Sequence, residues 1–170
     1  MSVPVAWVMG LLVALEPKSP YAKTFEKTAE AIARVAETEP LFENEERSEE
    51  RTATLLVAIA WYESRLRQDA RSKNGQWFCL YQLGRNWLPD AEKALTDPEM
   101  CTRAAVHLLR DSIKICTKTR APEERLAYFM SGHCDRGGVQ SRYRMFLAKK
   151  LAKEHPMPEP SGGNSVMRAR

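Results

Sequence analysis

The sequence predicts a mainly α-helical protein with a small irregular or β-containing lobe set beside a cleft, and three observations carry this. Apolar residues recur at helical spacing in several segments, among them Phe25, Ala29, Ile32, Ala33 and Ala36. Proline and glycine fall where helices start and stop, at Pro17, Pro40, Pro98, Pro122 and Gly132. Between them, residues 65–83 carry no helical period and instead read as a polar turn followed by an aromatic, semi-apolar segment.

Taken in order, the first helix is expected from about Pro4 to Leu15, stopped by Glu16-Pro17. A second runs from about Tyr21 to Glu37 and ends before Pro40. The acidic stretch Leu41 to Glu50 reads as loop, with Leu41 and Phe42 turned toward the core. Ser48 is a suitable N-cap for a long helix to Glu63, with Glu49 and Glu50 in the first turn where the helix dipole favours negative charge. In this helix Leu56, Ile59, Ala60 and Glu63 fall at i, i+3, i+4 and i+7, which sets a carboxylate on the apolar stripe. Residues 65–83 form a loop with at most a short hairpin. Asp97-Pro98-Glu99 opens a helix to about Ile115, with aspartate as cap and proline in the first turn. Pro122 opens the next, which Gly132 closes. A last helix from about Val139 to Lys153 is expected to carry Tyr143, Phe146, Leu147 and Leu151 on one side and Arg144 elsewhere. The chain therefore divides into an N-terminal helical segment, 1–47, packed on a central domain, 48–153, and a proline- and glycine-containing flexible tail, 154–170.

Composition narrows the function classes. With 170 residues and 44% hydrophobic residues the chain can bury a core, and it has no run of about 18 apolar residues of the kind a membrane span needs. The apolar run Val3 to Leu15 is not preceded by Lys or Arg, so a buried helix is preferred over a cleaved signal. Charge is uneven: residues 1–100 hold 12 Lys and Arg against 16 Asp and Glu, and residues 101–170 hold 14 against 6. The basic half suits anionic polymers, or is simply a solvated surface; no nucleic-acid motif is present and none is expected as a partner.

The carboxylate at Glu63 is the first candidate for chemistry. A glutamate at the rim of an apolar face, if desolvated, has its pKa raised and can serve as a proton donor near neutral pH. No cofactor is expected. The histidines His107, His133 and His155 and the cysteines lack paired zinc-ligand spacing, so no metal site is expected, and Cys79 with His133 lacks any local signature of a cysteine protease. Cys101 and Cys116 lie near opposite ends of one helix, about 22 Å apart at 1.5 Å per residue, and cannot bond to each other. If the helices on either side of residues 117–121 pack antiparallel, Cys134 lies level with Cys101. One bridge drawn from Cys79, Cys101 and Cys134 with Cys116 free, or four reduced thiols, are the forms left open.

Five short motifs in order resemble the soluble lytic transglycosylase and goose-type lysozyme superfamily over roughly residues 50–152. Glu63-Ser64 resembles its catalytic Glu-Ser pair, Ser72-Lys73-Asn74-Gly75 its Ser-x-x-Gly turn, and Leu80-Tyr81-Gln82 the end of its Gly-Leu-Met-Gln segment, with Cys79 where glycine is usual. Ala127-Tyr128-Phe129-Met130-Ser131-Gly132 is similar to its Ala-Tyr-Asn-Ala-Gly motif, with Phe129 at the tyrosine position and Tyr128 one residue earlier. Ser141-Arg142-Tyr143 resembles the terminal segment whose tyrosine reaches back toward the glutamate.

The resemblance implies a lysozyme-like fold and a peptidoglycan-cleaving lytic transglycosylase, with Glu63 catalytic and Ser64, Tyr81, Gln82, Tyr128, Phe129 and Tyr143 binding the glycan. Asp69 reads as a turn-forming residue rather than a second catalytic carboxylate. The alternatives are a hydrolytic muramidase, a chitinase on a related scaffold, and a non-catalytic wall-binding component of a phage or secretion machine. The partner is then the glycan strand of peptidoglycan and the site of action the cell envelope or periplasm, reached within a phage particle, through a secretion apparatus or after lysis.

Overall fold

The computed structural model describes residues 2–43, 45–119 and 121–159. These form α1 (Val5–Leu15), α2 (Phe25–Thr38), α3 (Ser48–Ser64), β1 (Trp77–Phe78), β2 (Leu83–Gly84), α4 (Pro98–Ile115), α5 (Ala127–Ser131) and α6 (Gly138–Glu154), with short 3₁₀ turns between them. The protein is mainly helical with one small antiparallel hairpin, in which Trp77 pairs with Gly84 and Phe78 with Leu83. No described helix is long and apolar enough to cross a membrane.

The organising element is α3. From Thr52 to Ala60 every residue is buried, and Leu55, Leu56, Val57 and Ile59 are essentially inaccessible. Removing such side chains from water contributes about 1.5–3 kcal/mol each. A helix covered on all sides needs apolar partners all round. α1, α2 and α6 supply them, with α2 also packing on α4. Residues of the N-terminal segment, among them Val8, Leu11, Leu12, Phe25 and Ile32, share one core with α3.

Several local expectations are corrected. Ser48 is not the N-cap of α3: Arg47, in a left-handed conformation (φ 56), takes that place without a side-chain cap bond, and Ser48 is the first helical residue, its hydroxyl buried without a partner among the described residues. Asp97, in contrast, accepts from the Met100 amide at 3.0 Å and does cap α4. On α6 the buried positions are Ser141, Ala148 and Leu151, whereas Tyr143 and Phe146 are 56% and 55% exposed. The apolar side chains of this helix are therefore split between faces, and the helix packs on its small residues. The segment from 154 onward is also not wholly a tail: Glu154 ends α6, and Met157 is buried, its amide donating to Glu50 Oε1 at 2.9 Å. The expectation for 160–170 lies outside the described residues.

Two disulfides are present: the first is drawn from the trio Cys79, Cys101 and Cys134, and the second departs from both forms left open, in which Cys116 is free or all four thiols are reduced. Cys79 joins Cys101, and Cys116 joins Cys134, with Cα separations of 6.3 and 5.2 Å. The expectation for Cys134 assumed a long helix running back antiparallel to α4. Instead α4 is followed by a 3₁₀ turn at Pro122–Glu124 and the five-residue α5, which ends at Gly132 (φ 73), so the chain stays at the Cys116 end. Gly137 (φ 76) completes the reversal; a Cβ there would lie 2.9 Å from Met130 Cβ and 3.1 Å from the Ala127 carbonyl oxygen, so the turn packs on α5 through a missing side chain.

Candidate active site

The end of α3 sets the first wall of the site. Arg65 and Leu66 both take left-handed conformations (φ 54 and 63), and the Leu66 amide returns to the Ala60 carbonyl at 3.3 Å, stopping the helix at Ser64, one residue after Glu63. Glu63 is thus delivered at the point where the buried helix reaches a surface. Its side chain is 23% exposed and lines a cleft of about 560 Å³.

Opposite α3 lies the hairpin lobe. The turn between β1 and β2 holds two further left-handed residues, Cys79 (φ 57) and Gln82 (φ 48). A glycine would take the first of these without strain, whereas a side chain there costs about 1–2 kcal/mol. Cys79 keeps the backbone that glycine favours and uses its side chain to tie the turn to α4. Gln82 Nε2 donates to the Ala70 and Cys79 carbonyls at 3.2 and 3.1 Å, which orients the amide and leaves its oxygen as the acceptor without a bond among the described residues. Trp77 and Trp87, 47% and 46% exposed, stand on either side of Gly84 and line the same cleft; a Cβ at Gly84 would meet the two indoles at 3.4 and 3.5 Å.

The far wall is α4 with α5 and its cap, contributing Leu108 and Tyr128 to Gly132. Each disulfide fixes one side of the cleft to α4: Cys79–Cys101 holds the hairpin turn, and Cys116–Cys134 closes the loop that contains α5. One helix therefore frames both walls.

The structure brings Glu63, Tyr81, Gln82, Tyr128 and Phe129 to one cleft and leaves Ser64 and Tyr143 out of its lining. Ser64 Oγ donates to the Leu80 carbonyl at 2.7 Å and accepts from the Arg67 amide at 3.2 Å, so the hydroxyl fastens the hairpin turn to the helix end instead of facing a ligand. Tyr81 lines the cleft but is almost wholly covered. It is 1% exposed, its hydroxyl accepts from Thr102 Oγ1 at 3.4 Å, and burial pushes that hydroxyl's pKa well above the ordinary tyrosine value. Tyr143 lies on the exposed face of α6, outside the cleft lining, and its neighbour Arg144 is the residue that reaches Glu63.

Arg144 is the site residue that sequence reasoning missed. Its Nη2 and Nε donate to Glu63 Oε1 at 2.7 and 3.1 Å, its Nη1 donates to the Gln140 carbonyl at 3.0 Å, and its guanidinium carbon lies 4.7 Å from the centre of the Tyr62 ring. The available signal was the spacing Ser141, Arg144, Ala148 and Leu151, which sets Arg144 on the same side of α6 as its three buried positions. Among the described residues Glu63 is the sole acidic one lining the cleft, and no Lys, Arg or His lines it. Among the described residues no group of three or more His, Cys, Asp or Glu is arranged to hold a metal ion.

The arrangement offers one carboxylate for proton transfer, two exposed indoles for stacking, and an amide oxygen for accepting a hydrogen bond. No family model, no curated protein and no solved structure matches the chain, so the chemistry of this cleft rests on its own residues.

Proposed function

We propose that the protein is a lytic transglycosylase of lysozyme-like fold that cleaves the β-1,4 bond between N-acetylmuramic acid and N-acetylglucosamine in peptidoglycan. The observation that carries this reading is the single carboxylate: among the described residues Glu63 is the only acidic side chain in a cleft lined by exposed tryptophans. A glycosidase that uses water generally needs two carboxylates, about 5–5.5 Å apart for retention or 6.5–9.5 Å for inversion. Intramolecular attack needs only one.

In the proposed sequence Glu63, protonated, gives its proton to the glycosidic oxygen as the bond from that oxygen to the anomeric carbon breaks. The resulting carboxylate takes the proton of the muramyl 6-hydroxyl while its oxygen bonds to the anomeric carbon, giving a 1,6-anhydro end and restoring the acid. No water is consumed. Trp77 and Trp87 offer faces on which sugar rings stack, and Gln82 Oε1 can accept from an N-acetyl amide. The two disulfides suit an oxidising compartment such as the periplasm or the cell exterior. A muramidase reading finds no second carboxylate among the described residues lining the cleft to support it.

The test is mass spectrometry of fragments released from isolated peptidoglycan. Muramyl ends in the 1,6-anhydro form are expected; reducing ends would replace the proposal with hydrolysis, release from chitin alone would replace the substrate, and no release from walls of several chemotypes would leave a binding component.

A further inference from the structure

We infer that Arg144 is a positioning residue that dedicates one oxygen of Glu63 to holding and the other to chemistry. The inference rests on the acid and base role proposed for Glu63. Two N–H groups of Arg144 converge on the same atom, Oε1, at 2.7 and 3.1 Å. The guanidinium is itself fixed, being only 11% exposed, bonded to the Gln140 carbonyl at 3.0 Å and stacked over Tyr62 at 4.7 Å. A side chain held from three directions cannot swing with the carboxylate, so it sets where the carboxylate points.

The consequence is chemical. A protonated carboxyl group has one carbonyl oxygen that accepts and one O–H that donates. With Arg144 donating to Oε1, the proton belongs on Oε2, and Oε1 keeps both bonds in either charge state. Proton delivery to the glycosidic oxygen and proton removal from the 6-hydroxyl then pass through one atom, without rotation of the side chain between the steps. A glutamate lacking this restraint has two oxygens and a free torsion to arrange. Misplacement by about 1 Å costs on the order of 100-fold in rate. A lysine at 144 supplies the charge but not the fixed pair of donors converging on Oε1.

The experiment compares wild type, Arg144→Lys and Arg144→Ala on peptidoglycan, measuring kcat and KM, melting temperature, and kcat in the presence of guanidinium at concentrations below those that unfold the protein. The expected result is a loss of about 100-fold in kcat for Arg144→Ala with KM changed little, partial recovery by guanidinium but not by sodium or ammonium at equal ionic strength, and poor replacement by lysine. Recovery by a small planar donor is a readout that a merely structural role would not move. If Arg144→Ala does not fold, Arg144→Lys decides: a folded lysine variant with wild-type kcat overturns the inference, and one with reduced kcat and unchanged melting temperature supports it. Full activity of Arg144→Ala, or a loss that guanidinium leaves untouched, overturns it too. A wild type that releases no fragments brings down the enzymatic reading and this inference together, which is distinguishable from an active wild type indifferent to residue 144.

Discussion

Breaking the Cys116–Cys134 bridge by the double substitution Cys116→Ser, Cys134→Ser removes a cross-link that spans 18 residues of chain. For a loop of this length the chain-entropy model gives about 3 kcal/mol of lost stability, from the wider freedom returned to the unfolded chain. In a protein of this size each kcal/mol corresponds to roughly 2–4 °C, so the melting temperature is expected to fall by about 6–12 °C. The bridged loop carries Tyr128 to Gly132, one wall of the cleft, but not Glu63. Glycan cleavage at a temperature where the variant remains folded should therefore weaken through KM. The assay is thermal unfolding by calorimetry without reductant, beside thiol titration of the denatured wild type. A melting temperature within about 2 °C of wild type would refute the entropic reasoning. Free thiols in the denatured wild type would refute the bridge itself.

Three further outcomes follow from particular residues. In a background carrying Cys101→Ser, Cys79→Gly should be more stable than Cys79→Ala by about 1 kcal/mol, because position 79 has φ 57; equal stability by chemical denaturation would count against a left-handed backbone there. Tyr143→Ala should change stability by no more than about 0.5 kcal/mol and leave glycan cleavage intact, since the side chain is 56% exposed outside the cleft lining; a large loss of activity would restore the tyrosine role that the resemblance implied. Trp77→Ala and Trp87→Ala should each raise KM for glycan strands by about tenfold while kcat and melting temperature hold; unchanged KM in both would mean that the indoles do not stack on sugar.

Much of the helical framework was legible because its signals are local. Asp97-Pro98 marks the start of α4 through the geometry of the first turn, and Gly132 marks the end of α5 through its positive φ. Glu63 and the hairpin turn were found because a helix end and a run of turn residues sit side by side in the chain. What the chain order hides is the pairing of distant segments. The Cys116–Cys134 bridge depends on α5 being five residues long, and periodicity fixes helix ends only loosely when a 3₁₀ turn precedes them. The orientation of α6 was misread for a different reason. Large aromatic residues at Tyr143 and Phe146 pull a periodicity argument toward their own face, yet the buried positions are Ser141, whose hydroxyl donates to the Glu123 carbonyl and accepts from the Leu126 amide, Ala148 and Leu151. That rotation carries Arg144 inward to Glu63 and Tyr143 outward. No reading of residue types alone distinguishes an arginine on a solvated face from one that holds a carboxylate across 81 residues of sequence.

The most direct measurement is fragment release from isolated peptidoglycan by Glu63→Gln beside wild type. Glutamine keeps an oxygen that can accept from Arg144 but cannot carry an acid proton, so the fold is expected to hold and the melting temperature to stay within a few degrees. The account predicts fragments with 1,6-anhydromuramic ends from the wild type and none above background from the variant. Equal release from both proteins would contradict it and remove Glu63 from the chemistry.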